Sequence, residues 1–201
     1  MDQSDKHLIS PVDGKVLEFG DITDHTLLQA KGLSYALDDL IPTTSADYFK
    51  QGKFLTIYLA PSDCHRIFSP IKGEVVEAIH IPGKLFPVRE PYISSKRNLY
   101  TVNERLVTIL DTEIGKVALV MVGATNVGYI SARYDLNLQT NCKQHKDVGE
   151  FQYPNPVTMN AGDWINTFHL GSTVILLTES NNLNWTVSSH THLKYGRLIS
   201  N

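Results

Sequence analysis

Short apolar runs separated by turn residues dominate the chain. Two stretches, 34–41 (SYALDDLI) and 46–51 (ADYFKQ), have a helical pattern instead. The apolar runs are rich in Val, Ile, Leu or Tyr and are bounded by Gly, Pro, Asp or Asn, which is typical of β-strands: KVLEF, KFLTIYLA, GEVVEAIHI, RLVTILDT, KVALVMVGA, VGYISARY and STVILLTE. The pattern predicts a mostly β (α+β) fold: a single antiparallel β-sandwich or barrel-like domain over residues 1–201, with a few short helices.

One turn-and-strand motif occurs twice. SPVDGKVLEF (10–19) and SPIKGEVVEA (69–78) share Ser-Pro, a glycine three residues after the proline, then valine and an acidic residue. Proline fixes φ and glycine permits a positive φ, so both stretches are predicted to form the same turn before a strand. A third, partial copy is NAGDWINTFHLGSTV (160–174). This recurrence favours one β-rich domain.

Two segments break the strand pattern. Residues 135–160 are polar and contain two prolines, and they are predicted to form a long loop of the kind that often carries function. Residues 85–103 mix Phe, Tyr and Arg. They are interpreted as a surface loop, with a substrate-facing role as the alternative.

The composition is that of a soluble globular protein, with 42% hydrophobic and 19% charged residues among 201. A net charge of −3 gives no footprint for nucleic acid. The polar N-terminus lacks a secretory signal, and no apolar run approaches the ~18 residues needed to span a bilayer. We therefore expect a cytoplasmic protein that contacts membranes only peripherally.

Cys64 and Cys142 lack metal-ligand spacing and are interpreted as thiols, with one disulfide as the alternative.

Four residues are candidates for chemistry. Ser172 follows Gly171, whose carbonyl is sterically open to attack, although Gly-Ser-Thr can also be a simple turn. Asp13 precedes a glycine, which is equally typical of a turn. His65 follows a strand, and His169 lies three residues before Ser172. Either histidine can be structural. A serine hydroxyl is a weak nucleophile and needs a base that is oriented by a third group.

Six blocks of the sequence, taken in order, resemble the phosphatidylserine decarboxylases over nearly all of residues 10–199: SPVDGKV, LLQAKGLSYALDDLI, YLAPSDCHR, IPGKLFPV, NERLVTILDTEIGKVALVMVGATNVGYI and FHLGSTVIL. The resemblance implies that the protein breaks its own Gly171–Ser172 bond, giving a β chain (1–171) and an α chain (172–201). Ser172 then becomes a pyruvoyl group, the electron sink for decarboxylation of phosphatidylserine to phosphatidylethanolamine. Asp13 and Ser172 match two members of the family's Asp-His-Ser triad, and His65 matches the histidine linked to decarboxylation.

The chain departs from the family pattern at three places. The second histidine of His-Arg-x-His-x-Pro, the triad base, is Phe68, and the second glycine upstream of the cleavage site is Asn166. The membrane-associating helices that usually precede the Asp block are not matched. Either His65 or His169 then substitutes as base, or cleavage is slow. The alternative is an unprocessed, non-catalytic relative that binds phospholipid or has a structural role.

Partners follow from the same interpretation. The resemblance implies phosphatidylserine as substrate, and an anionic membrane surface is expected to be reached through aromatic and basic residues within 86–100. A homodimer is compatible with the sequence, and no metal site is expected.

SPIKGEVVEA also resembles hairpins that carry biotin or lipoate, but Lys72 lacks their flanking residues.

Overall fold

The computed structural model describes residues 6–30, 32–89, 91–125, 128–141, 147–169 and 173–201. The strands, in chain order, are β1 (Gly14–Asp21), β2 (Thr26–Ala30), β3 (Leu33–Ala36), β4 (Lys53–Tyr58), β5 (Arg66–Phe68), β6 (Gly73–Ile81), β7 (Arg105–Thr112), β8 (Gly115–Val122), β9 (Ile130–Ala132), β10 (Gly149–Met159), β11 (Trp164–Phe168), β12 (Thr173–Thr178) and β13 (His192–Leu193). The helices are short: α1 (Leu37–Leu40), a 3-10 helix (Thr44–Phe49), α2 (Tyr92–Ser95) and α3 (Leu99–Val102). The mostly β prediction is confirmed.

Eight strands form one large antiparallel sheet in the order β10-β6-β7-β8-β12-β4-β1-β13. A small sheet has the order β5-β11-β9, and β2 and β3 form a hairpin. The central strands β8 and β12 are almost entirely buried, which explains why their sequences are continuous apolar runs rather than alternating ones. The small sheet contacts the large one where Thr108 of β7 donates a hydrogen bond to Asn166 of β11, 3.3 Å away.

The repeated motif folds in the same way in both copies. Ser10 and Ser69 each donate a side-chain hydrogen bond to the carbonyl two residues later, at 2.8 and 2.7 Å. The glycines then start β1 and β6. A Cβ at Gly14 would lie 2.6 Å from the carbonyl oxygen of Tyr58, and one at Gly73 would lie 2.6 Å from that of Asp111. Glycine is therefore required at both strand starts because another backbone approaches closely.

The predicted loop over residues 135–160 is wrong for its second half. Residues 149–159 form β10, which pairs with β6 and is the last described strand at one side of the large sheet. Its register shifts between Gln152 and Val157, a segment that contains Pro154 and Pro156. Prolines that cannot donate to a ladder are tolerated at an edge strand. The mostly exposed side chains of β10 explain why its sequence lacks an apolar pattern.

The helical prediction for SYALDDLI is wrong for its first half. Residues 34–36 belong to β3, which pairs with β2, and only one helical turn, α1, follows. Tyr35 is buried and packs edge-on against Tyr100 with the ring centroids 5.7 Å apart. Tertiary packing thus overrides the local helical pattern. The second helical stretch, ADYFKQ, lies mostly within the 3-10 helix.

Arg105, the first residue of β7, is a buried cation. The Arg105 side chain is 1% exposed and donates hydrogen bonds to four backbone carbonyl oxygens, those of Asp39, Leu40, Thr101 and Asn103. Burial lowers the pKa of Arg105 to about 10, so the side chain stays charged at neutral pH. It joins α1 and α3 to the large sheet. Among the described residues, no helix has the length and apolar character required to cross a membrane.

Candidate functional site

Three neighbouring strands bring the segments that carry Asp13 and His65, and the start of β12, to one edge of the large sheet, the edge formed by the strand ends. Lys15 of β1 is opposite Tyr58 of β4, which is opposite Thr173 of β12. Asp13 comes two residues before Lys15, and the loop carrying His65 follows Tyr58. Neighbouring strands are about 4.8 Å apart, so Lys15 and Thr173 are roughly 10 Å apart across the sheet. The register thus gathers at one edge segments that are distant in sequence.

Asp13 is buried, and its carboxylate accepts two hydrogen bonds. Its Oδ2 accepts a hydrogen bond from Lys194 Nζ at 2.8 Å, and its Oδ1 accepts one from the backbone N–H of Tyr195 at 2.9 Å. The hydrogen bond to Asp13 raises the pKa of Lys194, so Lys194 is an ammonium ion at neutral pH. Sequence reasoning missed Lys194 because it lies 181 residues from Asp13 and belongs to no motif. The pairing of β13 with β1 brings the two together.

Phe68, the residue at the family's triad-base position, lies beside the Asp13 segment. Its backbone N–H donates to the carbonyl of Pro11 at 2.8 Å. Its ring stacks on Tyr195 with the centroids 4.4 Å apart and the planes 20° from parallel. Tyr195 is the residue whose backbone binds Asp13. Asp13 is therefore bonded to the Lys194 ammonium group and to the backbone of the residue on which Phe68 stacks, whereas the family pattern has a histidine at position 68.

His65 has one ring nitrogen without a partner. Nε2 lies 3.3 Å from the carbonyl oxygen of Pro61, whereas Nδ1 is buried and has no hydrogen-bond partner among the described residues. The His65 carbonyl accepts a hydrogen bond from the backbone N–H of Phe168 at 2.9 Å. This bond joins the His65 loop to the end of β11, just before the predicted cleavage site.

A carboxylate–histidine pair fixes the same loop to the C-terminal segment. Asp63 Oδ1 lies 3.2 Å from His192 Nε2, and its Oδ2 accepts a hydrogen bond from the backbone N–H of Ala60 at 2.8 Å. His192 belongs to β13. No sequence motif indicates this pair either. Cys64, between Asp63 and His65, is a free thiol, and Cys142 lies outside the described residues.

His169, the other candidate base, is engaged on the small sheet. Its ring packs at 62° against Tyr129, centroid to centroid 4.3 Å, and its Nε2 lies 3.2 Å from Ser131 Oγ. Its backbone N–H donates to the carbonyl of Tyr129 at 3.1 Å. These contacts are with β9 and the residue before it, not with Asp13.

Gly171 and Ser172 lie outside the described residues, so their predicted roles stay predictions. The next residue, Thr173, is fully buried, and its Oγ1 has no hydrogen-bond partner in the described part of the chain. An unsatisfied buried hydroxyl is costly unless another group binds it. A carbonyl formed at position 172 would be such a group, so the surroundings of Thr173 fit a pyruvoyl group there.

Asn166, the other departure from the family pattern, has a structural role in this chain. Its side chain is fully buried and accepts the hydrogen bond from Thr108 that joins the two sheets. Its backbone carbonyl accepts a hydrogen bond from Trp164 Nε1 at 2.8 Å. The side chain that replaces the usual glycine is thus accommodated between the sheets.

The sequence is similar to those of known proteins over nearly its whole length. The sequence model of the family described as phosphatidylserine decarboxylase matches residues 1–201. The phosphatidylserine decarboxylase proenzyme of Francisella tularensis subsp. novicida (strain U112) is 41% identical over 186 residues, which cover 90% of this chain and 64% of that protein. The proenzyme of Myxococcus xanthus (strain DK1622) is also 41% identical over 186 residues, covering 92% of this chain and 65% of that protein.

The mostly β fold and the sequence relatives together define the class of this protein. The chain belongs to the phosphatidylserine decarboxylase family. It spans a little under two thirds of the length of the curated relatives that it matches.

Proposed function

We propose that this chain cleaves its own Gly171–Ser172 bond and then decarboxylates phosphatidylserine to phosphatidylethanolamine with a pyruvoyl group derived from Ser172. The observation that carries the proposal is the convergence of Asp13, the His65 loop and the start of β12 at one sheet edge. The family membership and the names of the relatives support it.

Maturation needs only groups of this chain and one water molecule. Ser172 Oγ attacks the carbonyl carbon of Gly171, and the peptide amide becomes an ester. Elimination across the Cα–Cβ bond of residue 172 releases Gly171 as a carboxylate and leaves dehydroalanine, which water converts to a pyruvoyl group and ammonia. Phe68 cannot accept the serine proton, so His65 or His169 is proposed as the base. Asp13 and Lys194 form an ion pair at the same sheet edge.

In the mature protein, the residues around the site would each have a separate task. The pyruvoyl carbonyl supplies an electron sink for loss of CO₂. The buried Thr173 hydroxyl would bind that group. His65 would hold the proton that the product carbon needs at Nδ1, the ring nitrogen for which the described residues supply no hydrogen-bond partner. The hydrogen bond from Phe168 to the His65 carbonyl keeps this histidine next to the end of β11, the strand that precedes the predicted cleavage site.

His65→Ala should lower decarboxylation by about 10²–10⁴-fold, the usual worth of a general acid or base, while chain cleavage still goes to completion because His169 remains as its base. Intact mass measures cleavage, and release of CO₂ from labelled phosphatidylserine measures turnover. His25→Ala, at an exposed histidine whose Nδ1 lies 3.8 Å from Asp38, is the control and should change neither. If His65→Ala instead stops cleavage, His65 and not His169 is the base of maturation, and the assignment of His65 to the decarboxylation step alone is wrong.

Access to a lipid substrate is proposed to use the loop over residues 85–103, at the cytoplasmic surface of a membrane. Phe86 is flanked by two ammonium groups: Lys96 Nζ lies 4.0 Å from the ring centroid, and Lys84 Nζ lies 5.7 Å from it. A basic and aromatic cluster of this kind supports reversible, peripheral attachment to anionic lipids.

Flotation with liposomes tests this attachment. Wild type should float with vesicles that contain phosphatidylserine at low salt, less so at high salt because exposed charges are screened, and not with phosphatidylcholine alone. Phe86→Ser with Lys96→Gln should reduce recovery several-fold. Tyr48→Ser with Lys50→Gln, which removes an exposed aromatic ring and a cation elsewhere, is the matched control. Recovery independent of lipid at low salt would contradict the proposal.

A further inference from the structure

The small sheet carries a second cation–aromatic cluster. Trp164 of the central strand β11 lies between Arg66 of β5 and Arg133, the residue directly after β9. The Arg66 and Arg133 Cζ atoms lie 4.3 and 4.2 Å from the centroid of the Trp164 ring. We call these three side chains the Arg–Trp–Arg cluster. Both arginines are exposed.

The two guanidinium groups have hydrogen-bonding capacity to spare. Neither arginine forms an ion pair with a carboxylate in the described part of the chain. Stacking on an indole orients a guanidinium plane while its N–H groups, which lie in that plane, stay available. Planar N–H pairs bind phosphate oxygens bidentately. Trp164 is fixed in turn, since its Nε1 donates to the Asn166 carbonyl and to Thr167 Oγ1 at 2.8 and 3.0 Å.

The cluster lies at one end of a strip that reaches the Phe86 loop. Arg66 is opposite Thr167, which is opposite Ser131, and Ser131 contacts His169. His169 packs on Tyr129, which is 38% exposed. The next contact is at Gly128, where a Cβ would lie 2.7 Å from the Leu85 side chain, so the loop approaches this glycine closely. Basic and aromatic side chains thus occur at both ends of one strip, beside His65.

We propose that the Arg–Trp–Arg cluster is a docking surface for an anionic phospholipid bilayer. Arg66 and Arg133 bind lipid phosphate oxygens, and Trp164 lies at the level of the headgroups, where amphipathic indole rings are favoured. The occupant follows from charge complementarity with two guanidinium groups that form no ion pair among the described residues, and from the aromatic residues between them and Phe86. The inference extends the proposed function, because it says which face of the protein meets the substrate's membrane.

A protein with one tryptophan gives the direct test. The chain has two, and Trp185→Phe leaves Trp164 as the sole reporter. Trp185 Nε1 has no hydrogen-bond partner among the described residues, so phenylalanine loses no polar contact there. Titration of this variant with phosphatidylglycerol vesicles should shift the Trp164 emission to shorter wavelength. Phosphatidylcholine vesicles should leave the emission unchanged.

Co-sedimentation with the same vesicles measures affinity independently of fluorescence. A basic residue near an anionic surface contributes about fivefold in affinity, so Arg66→Gln with Arg133→Gln should weaken binding about twentyfold or more. Lysines at both positions should restore part of the loss, because they keep the charge but not the planar donors. Arg197→Gln removes an exposed arginine outside the strip and is the control, with little change expected.

Three outcomes would overturn the proposal. They are an unshifted Trp164 emission, a loss of binding by Arg197→Gln equal to that of the double variant, and an emission shift that depends on protein concentration without lipid. The last would assign the face to a second copy of the chain. Phosphatidylglycerol is not the proposed substrate, so binding to its vesicles by a protein that does not decarboxylate phosphatidylserine counts against the decarboxylase assignment alone. Turnover of detergent-dispersed phosphatidylserine without vesicle binding counts against the docking surface alone.

Discussion

Ser172→Ala should abolish chain cleavage completely, whereas the wild type should convert to two chains, residues 1–171 and a chain that begins at position 172. Alanine has no hydroxyl, so no ester can form with Gly171 and no elimination can follow. The fold should be unaffected, since β12 pairs with β4 and β8 from Thr173 onward in either case. Decarboxylation should fall to the background rate, because the variant has no pyruvoyl group.

Mass spectrometry of protein aged at neutral pH measures this outcome. Borohydride should add hydrogen to the carbonyl of the short chain and fix a characteristic mass at its first residue. Ser62→Ala, at an exposed serine in the His65 loop, is the matched control and should cleave like the wild type. Cleavage of Ser172→Ala at the same bond would show that another nucleophile acts, and the assignment of Ser172 would fail.

The sequence predicted the strands wherever burial determines which residues occur. β8 and β12 are buried on both faces, so their apolar runs were unambiguous. β10 was missed because it lies at an edge, keeps most of its side chains exposed and contains two prolines. The first half of SYALDDLI was assigned to a helix because its hairpin partner, β2, is recognisable only once the chain is folded.

The site was predictable only as far as local motifs and the family resemblance reach. Asp13 and His65 lie in motifs, and the strand register brings their segments to one edge. Lys194 and His192 could not be found, since they contact Asp13 and Asp63 through the pairing of a two-residue strand far along the chain. Neither residue has a local pattern that distinguishes it from any exposed lysine or histidine.

The Asp13–Lys194 ion pair changes what the Phe68 substitution means. In the family pattern a histidine at this position serves Asp13, but here Lys194 occupies one carboxylate oxygen and the backbone of Tyr195 the other. A histidine introduced at position 68 must compete with the ammonium group of Lys194. Any variant that restores the base therefore has to be tested with and without that competitor.

Phe68→His should accelerate maturation, and Phe68→His with Lys194→Met should accelerate it further. A positioned base is worth about 10²–10⁴-fold, and the double variant should come closer to that range because Asp13 is then free to orient the imidazole. Methionine keeps most of the lysine stem while removing its charge. The gain should be present above about pH 6.5 and lost as the pH falls through that value, because only the neutral imidazole accepts the serine proton.

The time course of intact mass at pH 5 and pH 8 measures both effects. Phe68→Tyr keeps an aromatic ring to stack on Tyr195 but supplies no base near neutral pH, so it should mature no faster than the wild type. If the wild type stays one intact chain while Phe68→His cleaves, the fold is competent and the natural protein is a non-processing relative. If neither cleaves at any pH, position 68 does not face the scissile bond, and the site must be placed elsewhere on this sheet edge.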